Sequence, residues 1–116
     1  MQPFSDGKVA DSVGCTANVA LIVGNKITVA NTGDSRSALS RNGKIVELSK
    51  DHKPEDPIET ERILSSGAKI EKGRINSHLN LSRSLGDLHY KRNKDLAPNR
   101  QTVIAEPDIK EATLTK

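Results

Sequence analysis

Four consecutive residues, Gly33-Asp34-Ser35-Arg36, set a glycine, a carboxylate, a hydroxyl and a guanidinium side by side. Gly33 suits a backbone geometry that other residues resist. Asp34 could close its own turn through an Asx-type hydrogen bond, or it could face a reaction. Arg36 carries a planar fork of donors that fits a carboxylate or a phosphate; a buried pair with an acidic residue is the favoured reading. Asp51-His52-Lys53-Pro54 adds a histidine, the side chain most often used as a general acid or base. A structural histidine in a turn is the plainer reading and the one preferred. Farther on, Arg83 and Asp87 stand four residues apart with opposite charges. They could pair locally or brace the ends of strands, and bracing is favoured. Ser82 and Ser84 have no base near them in the sequence. Lys69, Lys72 and Arg74 could meet acidic or phosphorylated groups, or simply form a solvated charged face.

The composition bounds what surrounds these groups. The chain has 116 residues, 34% hydrophobic and 28% charged, with one Tyr, one Phe and no Trp. That length suits one small domain. Aromatic residues usually contribute the largest single buried areas, so this core must rest on Val, Ile, Leu and Ala. So thin a supply is expected either of a marginal small domain or of part of a larger fold. The net charge is +3, with a basic cluster at Lys91, Arg92, Lys94 and Arg100. A solvated loop explains that cluster better than nucleic acid does, because few aromatic side chains are present to stack bases. Cys15 is the only cysteine, which excludes an internal disulfide and a thiolate metal site; a small buried residue is expected there. No apolar run approaches membrane-spanning length and no signal-peptide core opens the chain. A soluble, cytoplasmic or nuclear protein is the expectation.

The elements that must hold these residues are legible as changes of period. Residues 1–13 show no sustained pattern. From Thr16, alternation of Ala17, Val19, Leu21 and Val23 predicts a half-buried strand. Gly24-Asn25 suits a tight hairpin, and Ile27 and Val29 continue on the return strand. Ser37 to Arg41 and Lys44 to Leu48 flank Asn42-Gly43, a strong two-residue hairpin signal. Residues 16–48 are therefore expected to form an antiparallel meander. The period then changes. Asp56 as N-cap, Pro57 at the first position and Glu59 in a capping box predict a short helix that Gly67 ends. Its apolar stripe is narrow: Ile58, Ile63 and Leu64. Ala68 to Ile70 and Arg74 to Leu81 read as short strands. A polar irregular stretch follows, then extended Val103-Ile104-Ala105 before Pro107, and a last strand over Ile109 to Leu114. The fold class is α+β.

Taken in order, Gly14-Cys15-Thr16-Ala17, Gly33-Asp34-Ser35-Arg36, Asp51-His52-Lys53-Pro54, Leu81-Ser82-Arg83-Ser84-Leu85-Gly86-Asp87 and Glu106-Pro107 form five blocks. In this sequence and at these separations they resemble the middle part of the protein phosphatase 2C family, the metal-dependent protein phosphatases, over roughly residues 13–114. The resemblance implies a sandwich of two antiparallel sheets flanked by helices, of which this chain would supply an incomplete part. It implies hydrolysis of phosphoserine and phosphothreonine in protein substrates with two bridged Mg²⁺ or Mn²⁺ ions. Paired divalent ions acidify a bridging water and clamp the reacting oxygens, and such hard cations require several carboxylates.

By the same resemblance Asp34 approaches the metal centre and can bind an additional, weaker ion. Gly33 and Arg36 support it, as do Arg83 and Asp87. Lys53 leads into a flap-like segment at residues 54–80, where Lys69, Lys72 and Arg74 would face substrate; residues 81–116 hold the irregular stretch and the last strands. The family's principal metal ligands lie in other segments, with no counterpart here. Asp6-Gly7-Lys8 only superficially matches one of them and lacks its histidine. The expectation is thus an internal piece of a catalytic domain, inactive alone and missing flanking segments of its own domain. The alternative is a non-catalytic phosphatase fold that binds a phosphorylated partner.

Overall fold

The computed structural model describes residues 8–115. Asp6-Gly7 of the superficial Asp-Gly-Lys match lies outside them. A short helix, α1 (Lys8–Ser12), leads into a two-residue strand, β1 (Gly14–Cys15). Strands β2 (Ala17–Val23) and β3 (Lys26–Thr32) follow as a hairpin. Only Gly24 of its two-residue turn takes positive φ, at 60°, the pattern of a type II′ turn. Strands β4 (Ala38–Arg41) and β5 (Lys44–Glu47) form the second hairpin. There Asn42 and Gly43 both have positive φ, 51° and 72°, as type I′ requires.

The two hairpins are present, but they do not make one continuous meander. β3 pairs on its far side with the last strand, β9 (Asp108–Thr113), so the three-stranded sheet runs β2-β3-β9 while β4-β5 is a sheet of its own. The cause is the Gly33–Arg36 loop, which leaves β3 without returning along it. The second hairpin instead packs across the sheet: buried Ile27 and Val29 meet Leu48, with Leu39, Val46 and Ala112 around them. β3 is buried because it has a neighbour on each side. β2 is an edge strand, and Val19, Leu21, Ile22 and Val23 are all more than half exposed.

Helix α2 (Pro57–Ser65) carries a second core, where Ile63 packs with Ile75 and Val103. The expected apolar stripe is corrected here. Ile58 is 75% exposed and Leu64 53% exposed; the inward face is Glu59, Arg62 and Ile63. Asp56 occupies the N-cap position without a side-chain cap bond, and Glu59 points into the protein rather than closing a capping box. Two arginines draw it there, as described below. Cys15 is also corrected: among the described residues β1 pairs only with β8 (Leu85–Gly86), and its thiol-bearing residue is exposed.

After α2, β6 (Ile70–Glu71) and β7 (Arg74–Ile75) form a minimal hairpin. Its turn residues Lys72 and Gly73 have φ of 53° and 72°, again type I′, with lysine where Asn or Gly is favoured. Lys72→Asn is expected to stabilise the chain by about 0.5–1 kcal/mol by relieving left-handed strain. A rise in the urea midpoint at unchanged slope would register it. Among the described residues no helix is long and apolar enough to cross a membrane.

Candidate functional site

The Gly33–Arg36 loop is held from beneath by β3. Asn31, at the strand's buried end, donates its amide to the Gly33 carbonyl at 3.1 Å and to the Lys50 carbonyl at 2.9 Å. Gly33 itself has φ of 108°, which a side chain cannot adopt without strain. The space is closed as well: a Cβ there would lie 2.5 Å from the Thr16 methyl and 3.0 Å from the Arg83 carbonyl oxygen. His52 completes the support. Its Nδ1 accepts from the Gly33 N–H at 3.0 Å, and its own backbone N–H donates to the Gly33 carbonyl at 3.0 Å.

Asp34 leaves this pinned glycine and pairs with Lys53, whose ammonium also donates to the Asn80 carbonyl at 3.2 Å. The two blocks that hold Asp34 and Lys53 are thereby joined to the end of the 54–80 segment. Arg36 meets an acidic residue, as its sequence suggested, but outside the core. It donates bidentately to Asp51 at 2.8 and 3.0 Å with its own side chain 77% exposed. That fork holds the Asp51 carboxyl below the ordinary carboxylate range. Arg36, Asp51, Lys53 and Asp56 line an open cleft of about 490 Å³.

Arg83 and Asp87 do not pair with each other. Arg83 reaches back to α2 and forward to β9: it donates to Glu59 at 2.6 Å, to Asp108 at 3.1 Å and to the Glu106 carbonyl at 3.0 Å. Arg62 donates to the other Glu59 oxygen at 2.8 Å and to the Ser82 carbonyl at 2.8 Å, and the Ser82 hydroxyl donates to Glu59 at 2.6 Å. Burial pushes the Glu59 carboxyl up, but the hydrogen bonds from Arg83, Arg62 and Ser82 outweigh it and hold the group down at about 2. Asp87 instead accepts from the Ser84 hydroxyl at 2.6 Å and fills the space beside Gly14 that a Cβ would need. Asp108, next in the chain of contacts, meets His52 Nε2 at 3.0 Å. Burial raises its carboxyl, while His52 and Arg83 prevail and lower it.

Lys69, Lys72 and Arg74 sit exposed on the β6–β7 hairpin, with Arg74 donating to the His78 carbonyl at 2.6 Å. Among the described residues none of the three shares a hydrogen bond or ion pair with Asp34. The basic cluster farther on is largely engaged: Lys91 donates to the Ser84 carbonyl at 2.6 Å, Arg92 pairs with Asp11, and Arg100 pairs with Glu61 at 2.9 Å. Sequence reasoning missed Glu59 and Asp108 as members of the site. The signal available for Glu59 was Arg62 three residues on; the signal for Asp108 was absent, since its partners lie 25 and 56 positions away.

A two-cation centre does not fit these residues. Among the described residues no three His, Cys, Asp or Glu side chains converge as a metal site. The Asp34 carboxylate, the one candidate ligand, is turned to the Lys53 ammonium.

A family model described as "Protein phosphatase 2C" matches residues 3–116. The chain is 52% identical over 106 residues to "Probable protein phosphatase 2C 6" of Paramecium tetraurelia, covering 91% of this chain and 36% of that relative. It is 54% identical over 102 residues to "Protein phosphatase ppm-1.G" of Caenorhabditis elegans, covering 88% of this chain and 21% of the relative. A crystal structure of a Toxoplasma gondii phosphatase superposes with a TM-score of 0.74 at 41% identity, over 77% of this chain and 28% of that one. A serine-threonine phosphatase 2C from the same organism shares the fold, with a TM-score of 0.72 at 20% identity over 93% of this chain and 40% of the other. The chain spans about a third of the length of the Paramecium relative. Antiparallel strands with few helices match those phosphatase structures, and the chain belongs to the protein phosphatase 2C family.

Proposed function

We propose that this chain supplies the loop, the flap-like segment and the bracing strands of a metal-dependent protein serine/threonine phosphatase. The observation that carries the reading is the convergence of three separate sequence blocks on one point. The loop bearing Asp34 and the turn bearing His52 and Lys53 meet through direct contacts, and the stretch bearing Arg83 joins them through the Ser82 N–H on the His52 carbonyl and through Asp108, which both His52 and Arg83 contact. Phosphoserine and phosphothreonine proteins are the proposed substrates, Mg²⁺ or Mn²⁺ the proposed cations, and the cytoplasm or nucleus the proposed setting. When bound, such a cation pair would supply an activated water and charge neutralisation. Of the carboxylates such a pair would need, this chain would offer Asp34, released from Lys53, on the loop that His52 and Asn31 hold. The exposed side chains Lys69 and Lys72, with Arg74 beside them on its bond to the His78 carbonyl, would meet phosphate at the hairpin.

That the described residues gather no further carboxylates into a metal site around Asp34 is central to the proposal. Residues 1–116 alone, assayed on p-nitrophenyl phosphate with millimolar Mn²⁺, are expected to show no turnover above background. Turnover abolished by Asp34→Ala would overturn that view. The phosphatase reading itself is tested by substituting residues 13–114 for the matching segment of "Protein phosphatase 2C 1" of Paramecium, to which the chain is 55% identical over 102 residues. The chimera is expected to hydrolyse a phosphothreonine peptide, and Asp34→Ala within it to lower turnover by about tenfold or more. A folded chimera without activity would instead favour a non-catalytic phosphoprotein-binding module. The pairing of Asp34 with Lys53 is the feature that keeps that second reading in play.

A further inference from the structure

We propose that His52 is a positioning residue for the Asp34 loop, acting through Gly33. Both peptide groups of Gly33 are tied to one residue: its N–H donates to His52 Nδ1 at 3.0 Å and its carbonyl accepts from the His52 N–H at 3.0 Å. His52 is 3% exposed, so the Gly33 N–H has no water to replace that acceptor if it is lost.

The acceptor role fixes the imidazole tautomer. Nδ1 accepts a hydrogen bond from the backbone N–H and therefore carries no proton of its own, which leaves the ring proton on Nε2. Nε2 faces the Asp108 carboxylate at 3.0 Å, the partner such a donor needs. Asp108 is in turn held by Arg83 at 3.1 Å, and Arg83 by Glu59 on α2 at 2.6 Å. The backbone carbonyl of His52 also accepts from the Ser82 N–H at 3.0 Å. The ring is thus oriented from β9 and the Arg83 stretch, and it transmits that orientation to the residue immediately before Asp34. A histidine in this turn does what a hydrophobic residue of equal size could not: it presents an acceptor to one strand end and a donor to another.

That Asp34 is the group worth positioning rests on the phosphatase reading above. The geometry does not, and the test below uses neither metal nor phosphate, so its failure is distinct from a failure of that reading. In the unsubstituted 116-residue chain, a through-hydrogen-bond coupling between the Gly33 amide nitrogen and His52 Nδ1 is expected by NMR, with the ring proton on Nε2. Absence of the coupling, or a proton on Nδ1, overturns the proposal even if every variant misfolds. Two substitutions then separate the two ring nitrogens. His52→Asn places a carbonyl oxygen near the position of Nδ1; His52→Gln reaches toward the position of Nε2 and leaves Gly33 without an acceptor. Exchange of the Gly33 amide proton is expected to accelerate about tenfold or more in His52→Gln and to stay within about twofold in His52→Asn. The backbone order parameter of Asp34 should fall from about 0.85 to below about 0.6 only in His52→Gln. Equal behaviour of the two variants at Gly33, or an Asp34 that stays rigid in both, would overturn it.

Discussion

Glu59→Ala is expected to cost about 3–5 kcal/mol of unfolding free energy, the range for removing one partner of a buried ion pair. Glu59 is 2% exposed and accepts from Arg83, Arg62 and Ser82. Removing it strands two buried guanidinium groups, Arg62 at 3% exposed and Arg83 at 8% exposed. The same residue makes stability depend on pH. Its carboxyl sits at about 2 in the folded chain against an ordinary 4.5. A folded value below the unfolded one means the carboxylate's stabilisation is full above about 4.5 and is lost as pH falls toward about 2. The lowered carboxyl is one more sign that the charged form of Glu59 is held by Arg83, Arg62 and Ser82. Urea melts at pH 7 and pH 3 provide the check. The unsubstituted chain should lose stability between them, and Glu59→Ala should lose markedly less. Equal pH dependence in the two would show that the carboxylate is not held as described.

Gly33→Ala is expected to cost about 2–3 kcal/mol and to loosen the loop that bears Asp34. Two penalties act together. A φ of 108° is a conformation that costs a non-glycine residue about 1–3 kcal/mol. The added methyl would also meet the Thr16 methyl at 2.5 Å and the Arg83 carbonyl at 3.0 Å, and overpacking typically costs about 1–3 kcal/mol. Partial relaxation of the Thr16 side chain keeps the sum below the two maxima. Gly43→Ala is the comparison: its φ is also positive, at 72°, but nothing lies within 4 Å of the added carbon. A denaturant midpoint lowered clearly more by Gly33→Ala than by Gly43→Ala is the expected result, from the crowding and from a φ of 108° that lies farther from the left-handed region alanine can reach than 72° does. Equal losses would show that neither the crowding nor the more strained φ at Gly33 carries the expected cost.

The strands of the two hairpins, their turns and the span of α2 were legible in the sequence. Each depends on neighbours only a few positions apart: alternating Ala17, Val19, Leu21 and Val23, positive-φ pairs such as Asn42-Gly43, and Pro57 at a helix start. The ordered blocks around Asp34, His52 and Arg83 also marked the family. The sequence did not reveal which side of α2 faces inward, because the charged residues Glu59 and Arg62 took the place that the apolar stripe predicted for Ile58 and Leu64. Nor did it show that β3 would take β9 rather than β4 as its second neighbour. Those outcomes were decided by partners brought together in space: Arg83 meeting Glu59, and β9 closing on β3 from the far end of the chain. Local pattern specifies backbone conformation because the forces involved act over a turn or a strand pair. A buried charge is stable only where its counter-charge arrives, and that arrival is a property of the folded whole.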